Sequence, residues 1–181
     1  MDLDDQGTAD AIVEYLGCWP PGADAIAQQA AGASPSEIIP GLFVGSIEDA
    51  TNKELLAAKG VTAIVNCAHS EHNRAGADYP LNKGTVYLGL PVYDIPGFPI
   101  NTFFDNAIEF IHDARQSDRA VLVHCNAGVS RSATVAAAYL MKHELMRLRD
   151  ALTLLKARRR IICPNMGFIY QLQRWEHGLY V

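Results

Sequence analysis

His124-Cys125-Asn126-Ala127-Gly128-Val129-Ser130-Arg131-Ser132 decides how this chain is read. The stretch follows the apolar run Ala120-Val121-Leu122-Val123 and leads into Ala133–Met141. That order predicts a buried strand, a tight loop and a helix beginning near Arg131. Backbone N–H groups in such a loop, together with the positive end of the helix, make a cradle for phosphate. The cradle would be the backbone of Asn126, Ala127, Gly128, Val129, Ser130 and Arg131. The same field favours a thiolate, which makes Cys125, at the base of the loop, the candidate nucleophile. Arg131 carries the planar fork that grips two phosphate oxygens at once, which a lysine does not match. These residue types in this order point to cysteine-dependent hydrolysis of a phosphate ester.

The bare Cys-x5-Arg spacing is a weak signal in a chain with four Cys and ten Arg. Its context makes it specific, because His124, Gly128, Ser132, the strand before and the helix after all have to agree. The run His124–Thr134 resembles the signature of the dual-specificity branch of the protein tyrosine phosphatases. The resemblance extends from about Glu37 to Glu176. Ile39-Pro40-Gly41-Leu42-Phe43-Val44-Gly45-Ser46 is similar to the family's opening; Ala138–His143 and Pro164-Asn165-Met166-Gly167-Phe168 are similar to its closing helices.

Length and composition agree with one such domain. A chain of 181 residues, 49% of them apolar, buries one full core, and two independent domains would be a squeeze. No apolar run approaches the roughly 18 residues that cross a bilayer. The acidic start Met1-Asp2-Leu3-Asp4-Asp5 has no basic n-region, so no membrane insertion is expected. The cytoplasm is the expected location, with the nucleus open to it as well. The cysteines at 18, 67, 125 and 163 show no Cys-x-x-Cys spacing, which argues against a zinc ribbon or disulfide scaffold. His69 and His72 stand among Ser70, Glu71, Asn73 and Arg74, a solvated loop, so no metal site is expected there. Residues 1–35 hold six acids and no Lys or Arg, which leaves the remainder of this −5 chain close to neutral. Seven basic residues between Lys142 and Arg160 read as a helix face, not as the broad basic surface a nucleic acid demands. Oligomeric state leaves no trace in the sequence.

Composition also divides the chain. Residues 1–35 read as an acidic, Ala-rich arm or linker, with two helical turns near Ala9–Leu16, and 36–181 as the catalytic domain. Within the latter, Leu42–Val44, Val61–Asn66, Val86–Pro91 and Ala120–His124 read as strands. Ser46–Lys59 and Asn101–Ser117 read as helices, the second with Phe104, Ile108 and Ile111 on one face. Three more helices are expected near 131–146, 149–160 and 166–177. Alternation of this kind implies an α/β domain with a mostly parallel sheet, and ligands bind at the carboxyl ends of such strands, where Cys125 falls. The resemblance implies about five strands flanked by helices, the phosphatase fold of dual-specificity type.

A thiolate attacking phosphorus needs an acid for the leaving oxygen. Asp94 lies 31 positions before Cys125, follows the run Val86–Val92 and leads the loop Ile95-Pro96-Gly97-Phe98-Pro99. The family's general acid occupies the matching place; Asp78 and Asp105 are the weaker candidates. Ser132 is placed to hydrogen-bond the thiolate, to act as a first-turn or capping residue, or both. His124 is expected to orient the loop, not to act as a base. Asn165 resembles the family's buried asparagine that braces the loop. No metal or organic cofactor is called for by this chemistry.

The resemblance also bears on substrate. The lipid-phosphatase relatives carry lysines within the loop, where this chain has Asn126, Ala127, Val129 and Ser130. Arg74 and Tyr79 do not match the tyrosine-bearing loop that deepens the pocket of tyrosine-specific relatives. Phosphorylated proteins, with phosphoserine and phosphothreonine accepted beside phosphotyrosine, are therefore the expected partners. Phosphoglucan phosphatases share Cys-Asn-Ala-Gly-Val but usually place Gly where Ser130 stands, which makes phosphoglucan, or another non-protein phosphate monoester, the second choice. A phosphopeptide-binding module with little turnover is the third, and Cys125, Arg131 and Asp94 together argue against it. Finally, some relatives resemble this chain in having a cysteine at the end of the strand that here ends in Asn66. That implies Cys67 as a redox partner for Cys125, against the plain alternative of a small buried hydrophobe.

Overall fold

The computed structural model describes residues 11, 12, 14, 17, 34–75 and 84–180. The proposed arm therefore lies mostly outside the described residues, as do Cys18, Asp78 and Tyr79. The described chain begins its sheet with β1 (Ser36–Ile39) and β2 (Leu42–Gly45). They pair antiparallel around Pro40-Gly41, where Gly41 adopts φ +77° and its N–H donates to Glu37 Oε1 at 2.9 Å. A proline followed by a left-handed glycine is the chemistry of a tight turn. The sequence reading took only the second of these strands.

Next come α1 (Ile47–Thr51) and α2 (Lys53–Ala58), where one helix over Ser46–Lys59 was expected. Asn52 makes the break. Its backbone is extended, its N–H donates to Asp49 O, and its side chain caps the second helix by accepting from Leu55 N. A short polar side chain that competes for backbone donors favours a cap over a helix interior. β3 (Val61–Asn66), β4 (Val86–Gly89) and β5 (Ala120–His124) complete the sheet. β4 stops at Gly89, two residues short of the expected end. The strand order is β1-β2-β5-β3-β4, and every pair but the first is parallel.

Alternation along the strands fills two layers. Leu42, Val44, Ala63, Val65, Val121 and Val123 face a large core shared with the remaining helices. Phe43, Val61, Ile64 and Leu122 face a smaller one closed by Ala50 and Leu56 of the short helices. Each such fully buried large side chain contributes about 1.5–3 kcal/mol. On the large face lies α3 (Phe104–Gln116), preceded by a 3-10 turn at Ile100–Phe103; it buries Phe104, Ala107, Ile108, Ile111 and Ala114, one stripe of a helix. α4 (Arg131–His143) is buried from Ser132 to Met141 without interruption. A helix that is dry all round sits at the centre of its layer, between α3, α5 (Leu148–Arg158) and α6 (Met166–Leu179). Its small residues, Ala133 and Ala136–Ala138, let these neighbours come close. No helix among the described residues is long and apolar enough to cross a membrane.

Register fixes where the site is. Gly45 pairs with His124, His124 with Asn66, and Asn66 with Gly89. The four parallel strands thus end in line, and Cys125 emerges from the central one.

Candidate active site

His124 ends β5 fully buried. Desolvation lowers its pKa to about 4, so the ring is neutral and carries one N–H. Nε2 lies 3.1 Å from Ala75 O and Nδ1 lies 3.5 Å from Cys125 O, so the shorter contact takes that proton. Both ring nitrogens thus face backbone carbonyls, one of them in the loop after β3.

After Cys125 the backbone carbonyls are gripped one after another from outside the loop. Asn126 O accepts from Ile47 N at 3.0 Å and Val129 O from Cys163 N at 2.9 Å. Between them, Gly128 O accepts from Arg159 Nε at 2.8 Å and Ala127 O from Arg159 Nη2 at 3.5 Å. A trans peptide places each C=O antiparallel to the following N–H. Turning these four carbonyls outward therefore turns the N–H groups of Ala127, Gly128, Val129 and Ser130 inward, the geometry of an anion nest. Gly128 sits at φ +67°, and a Cβ there would meet Gly45 O at 2.5 Å and Arg159 Nη2 at 2.6 Å. Only glycine fits.

Cys125 lies at the floor, 1% exposed, with Sγ 3.3 Å from Ser132 Oγ. The helix N-cap is Ser130, not Ser132, and it makes no side-chain cap bond. Its hydroxyl donates to Asp94 Oδ1 at 2.7 Å and accepts from Asn165 N at 3.2 Å. Ser132 is left with the sulfur.

Asp94 stands beyond the end of β4 and is tied to the loop on both oxygens. Oδ1 also accepts from Asn165 Nδ2 at 2.8 Å, and Oδ2 lies 3.6 Å from Arg131 Nε. Arg131 in turn donates through Nη1 to Val92 O at 3.2 Å. Asn165 is half-buried, not buried, and its contacts reach beyond the loop. It caps α6 by accepting from Phe168 N at 3.0 Å while holding Asp94 with its amide. The acid's loop is further seated on α6 at Gly167, where a Cβ would collide with the Pro96 carbonyl. Asp105, the weaker candidate acid, is mostly exposed on α3 and pairs with Lys142 at 3.1 Å, apart from this cluster.

Cys67 follows Asn66 as Cys125 follows His124, on adjacent parallel strands, and its N–H donates to His124 O at 2.7 Å. It is wholly buried. Burial pushes its thiol well above the ordinary value, the neighbouring Cys125 adds to that, and Arg131 opposes it.

Three contributors carry no sequence signal of their own. Arg159 is one of three consecutive arginines, yet it alone is buried. Burial lowers its pKa, opposed by the charges of Asp49 and Cys125. Asp49 forms a capping box with Ser46 and presses its carboxylate against the place a Cβ at Gly45 would need. Asn66 donates to Tyr87 Oη at 3.0 Å and to Asn73 O at 3.2 Å, and Asn73 Nδ2 reaches Asn126 Oδ1 at 2.8 Å. That chain of amides joins the loop after β3 to the mouth of the cradle. The expected basic face over Lys142–Arg160 is largely spent on neighbours: Arg159 is buried, Lys156 Nζ donates to Ile162 O, and Arg147 lies over the Tyr180 ring.

The family model of the dual specificity phosphatase catalytic domain matches residues 42–178, and the chain belongs to that family. Human dual specificity protein phosphatase 14 is 41% identical over 145 residues, which is 80% of this chain and 70% of that protein. Human dual specificity protein phosphatase 1 is 39% identical over 142 residues, 78% of this chain and 37% of that larger protein. The chain thus spans little more than a third of the latter relative's length. The crystal structure of human DUSP28 shares the fold with a TM-score of 0.72 at 34% identity, over 80% of this chain and 96% of that one.

Proposed function

We propose that this chain is a phosphoprotein phosphatase that hydrolyses phosphotyrosine, phosphoserine and phosphothreonine through a cysteinyl-phosphate. The observation that carries the reading is the set of four outward-held carbonyls from Asn126 to Val129, which leaves the N–H groups of residues 127–130 for the inner side of the loop after Cys125. In the first step the Cys125 sulfur attacks phosphorus, an S–P bond forms, and the P–O bond to the substrate breaks. The inward N–H groups and the Arg131 guanidinium hold the three remaining oxygens as charge shifts among them. Asp94, fixed across the mouth by Ser130, Asn165 and Arg131, gives its proton to the departing oxygen. In the second step Asp94 takes a proton from water, whose oxygen displaces sulfur from phosphorus. The Ser132 hydroxyl, 3.3 Å from Sγ, donates to the thiolate as it leaves. No step in this sequence requires a metal or an organic cofactor.

The protein substrate rests on the family and on the uncharged rim of the cradle, where exposed Asn126 and half-buried Ala127 supply no basic side chain for further phosphates. The test is a panel of phosphotyrosyl and phosphothreonyl peptides, phosphoinositides and phosphorylated glucan, run with wild type and Cys125→Ser. Turnover of both peptide types by wild type alone is the expected result. Selective turnover of glucan would move the substrate class, and peptide binding without turnover by wild type would make the domain a binding module.

A further inference from the structure

The side chains on either side of Asp94 are large, apolar and open to water. Tyr93 is 68% exposed and Ile95 57%, two of only five large hydrophobic side chains exposed among the described residues. Tyr93 begins a row of rings. Its ring centre is 5.8 Å from that of Phe98, which stacks in turn on Phe103 at 6.0 Å, and both of these are half-exposed. The row is held rigidly. Phe98 N donates to Ile95 O at 3.0 Å, Gln171 Nε2 donates to Phe98 O at 2.9 Å, and Pro96 is seated on Gly167. Phe98 and Phe103 pack against the main core on their inner sides, whereas Tyr93 and Ile95 stand exposed above it.

We infer that the ridge Tyr93–Phe98–Phe103, with Ile95 beside it, is the docking surface for an apolar side chain of the substrate polypeptide close to its phosphorylated residue. The inference rests on the proposed role of Asp94. An acid that protonates the leaving oxygen must come within about 2.6–3.2 Å of it. The chain bearing that oxygen then crosses the loop on which Tyr93 and Ile95 are the immediate neighbours. From Tyr93 to Phe103 the ridge covers two ring-to-ring steps, at most the reach of about three to four residues of extended peptide at roughly 3.3 Å each. Substrate residues two to four positions from the phosphoresidue are therefore the ones that meet it. The cradle itself offers those residues no charged side chain, since Asn126 and Ala127 form its open rim.

The experiment uses two phosphotyrosyl peptides that differ only in carrying Leu or Glu at the positions two to four from the phosphotyrosine. Each is measured twice, as kcat/KM with wild type and as binding to Cys125→Ser. A preference of about tenfold for the Leu peptide is expected, the value of partly burying one large apolar side chain. Tyr93→Ser should reduce that ratio towards one, and Tyr93→Phe, which keeps the ring, should restore it. Equal treatment of the two peptides by wild type, or a ratio that Tyr93→Ser leaves intact, would overturn the ridge assignment. Absence of turnover with both peptides would count against the phosphatase reading alone, because binding to Cys125→Ser still reports on the ridge. Concentration-dependent dimerisation lost in Tyr93→Ser, with no peptide preference, would assign the ridge to a second copy of the chain and overturn the proposal.

Discussion

Arg159 donates through Nε to the Gly128 carbonyl at 2.8 Å, from outside the loop that carries Cys125. The same guanidinium reaches Ala127 O, and Nη1 lies 3.3 Å from Ser34 O, two residues before β1. It holds two of the four carbonyls whose outward turn makes the anion nest.

Arg159→Lys keeps the charge but loses the fork. An ammonium's donors diverge from one atom and lack the planar fork, so the paired grip on the two carbonyls loosens and tungstate, read as a competitive inhibitor, should bind about tenfold more weakly. KM should rise more than kcat falls. Arg159→Met would leave buried acceptors unmatched and is expected to cost about 3 kcal/mol or more in chemical denaturation. A folded Arg159→Lys protein with unchanged tungstate affinity would remove this residue from the positioning of the cradle.

Asp94→Asn should lower kcat on phosphotyrosyl peptides by roughly 10²–10⁴-fold, the usual worth of general acid catalysis. Gly167→Ala attacks the same function indirectly, by forcing Pro96 and its loop off α6. Both variants should lose less on substrates with good leaving groups, which need little protonation, and both should still bind tungstate. Equal losses across leaving groups would place the acid elsewhere.

Burial of His124 links stability to pH. Its folded pKa, about 4, lies below the ordinary 6.5, so the unfolded chain binds the extra proton first. The contribution is complete above about pH 6.5 and is lost as pH falls towards 4; at pH 5 the loss is about 2 kcal/mol. Urea titrations at pH 7.5 and 5.0 should show this difference in wild type. His124→Asn, though less stable at both values, should show a pH difference smaller by that amount. An identical pH difference in the two proteins would mean that His124 titrates normally.

The register of β3 against β5 supports a redox prediction. Peroxide converts the Cys125 sulfur to a sulfenic acid, and the Cys67 thiol then forms the disulfide with loss of water. Mild peroxide should give an inactive form restored by dithiothreitol, with residues 67 and 125 linked in the peptide map. Cys67→Ser should lose activity irreversibly at the same dose. Equal recovery of the two proteins would leave Cys67 as a buried packing residue.

The legible part of this molecule was the part written contiguously. Thiol, glycine and arginine fall within seven consecutive residues, and the apolar run before them makes the strand explicit. Asp94 was legible through its distance from Cys125 and the proline-glycine loop it leads. Arg159 was not, because its partners lie 31 and 32 residues away and its neighbours Arg158 and Arg160 have the same chemistry on the exposed side. Asn165 was singled out only through the resemblance, and its contact with Asp94, across 71 residues, had no local signal. β1 was hidden because Pro40-Gly41 separates two very short strands, and the break at Asn52 because a local cap outcompeted the helical pattern around it.

The central claim is a phosphoryl group carried by Cys125, and rapid quenching tests it most directly. Asp94→Asn, mixed with a phosphotyrosyl peptide and quenched in acid within milliseconds, should yield a Cys125 peptide heavier by one phosphoryl group, and Cys125→Ser should yield none and turn nothing over. Phosphate released at full rate by Cys125→Ser, or a phosphoryl group recovered on any other side chain, would contradict it.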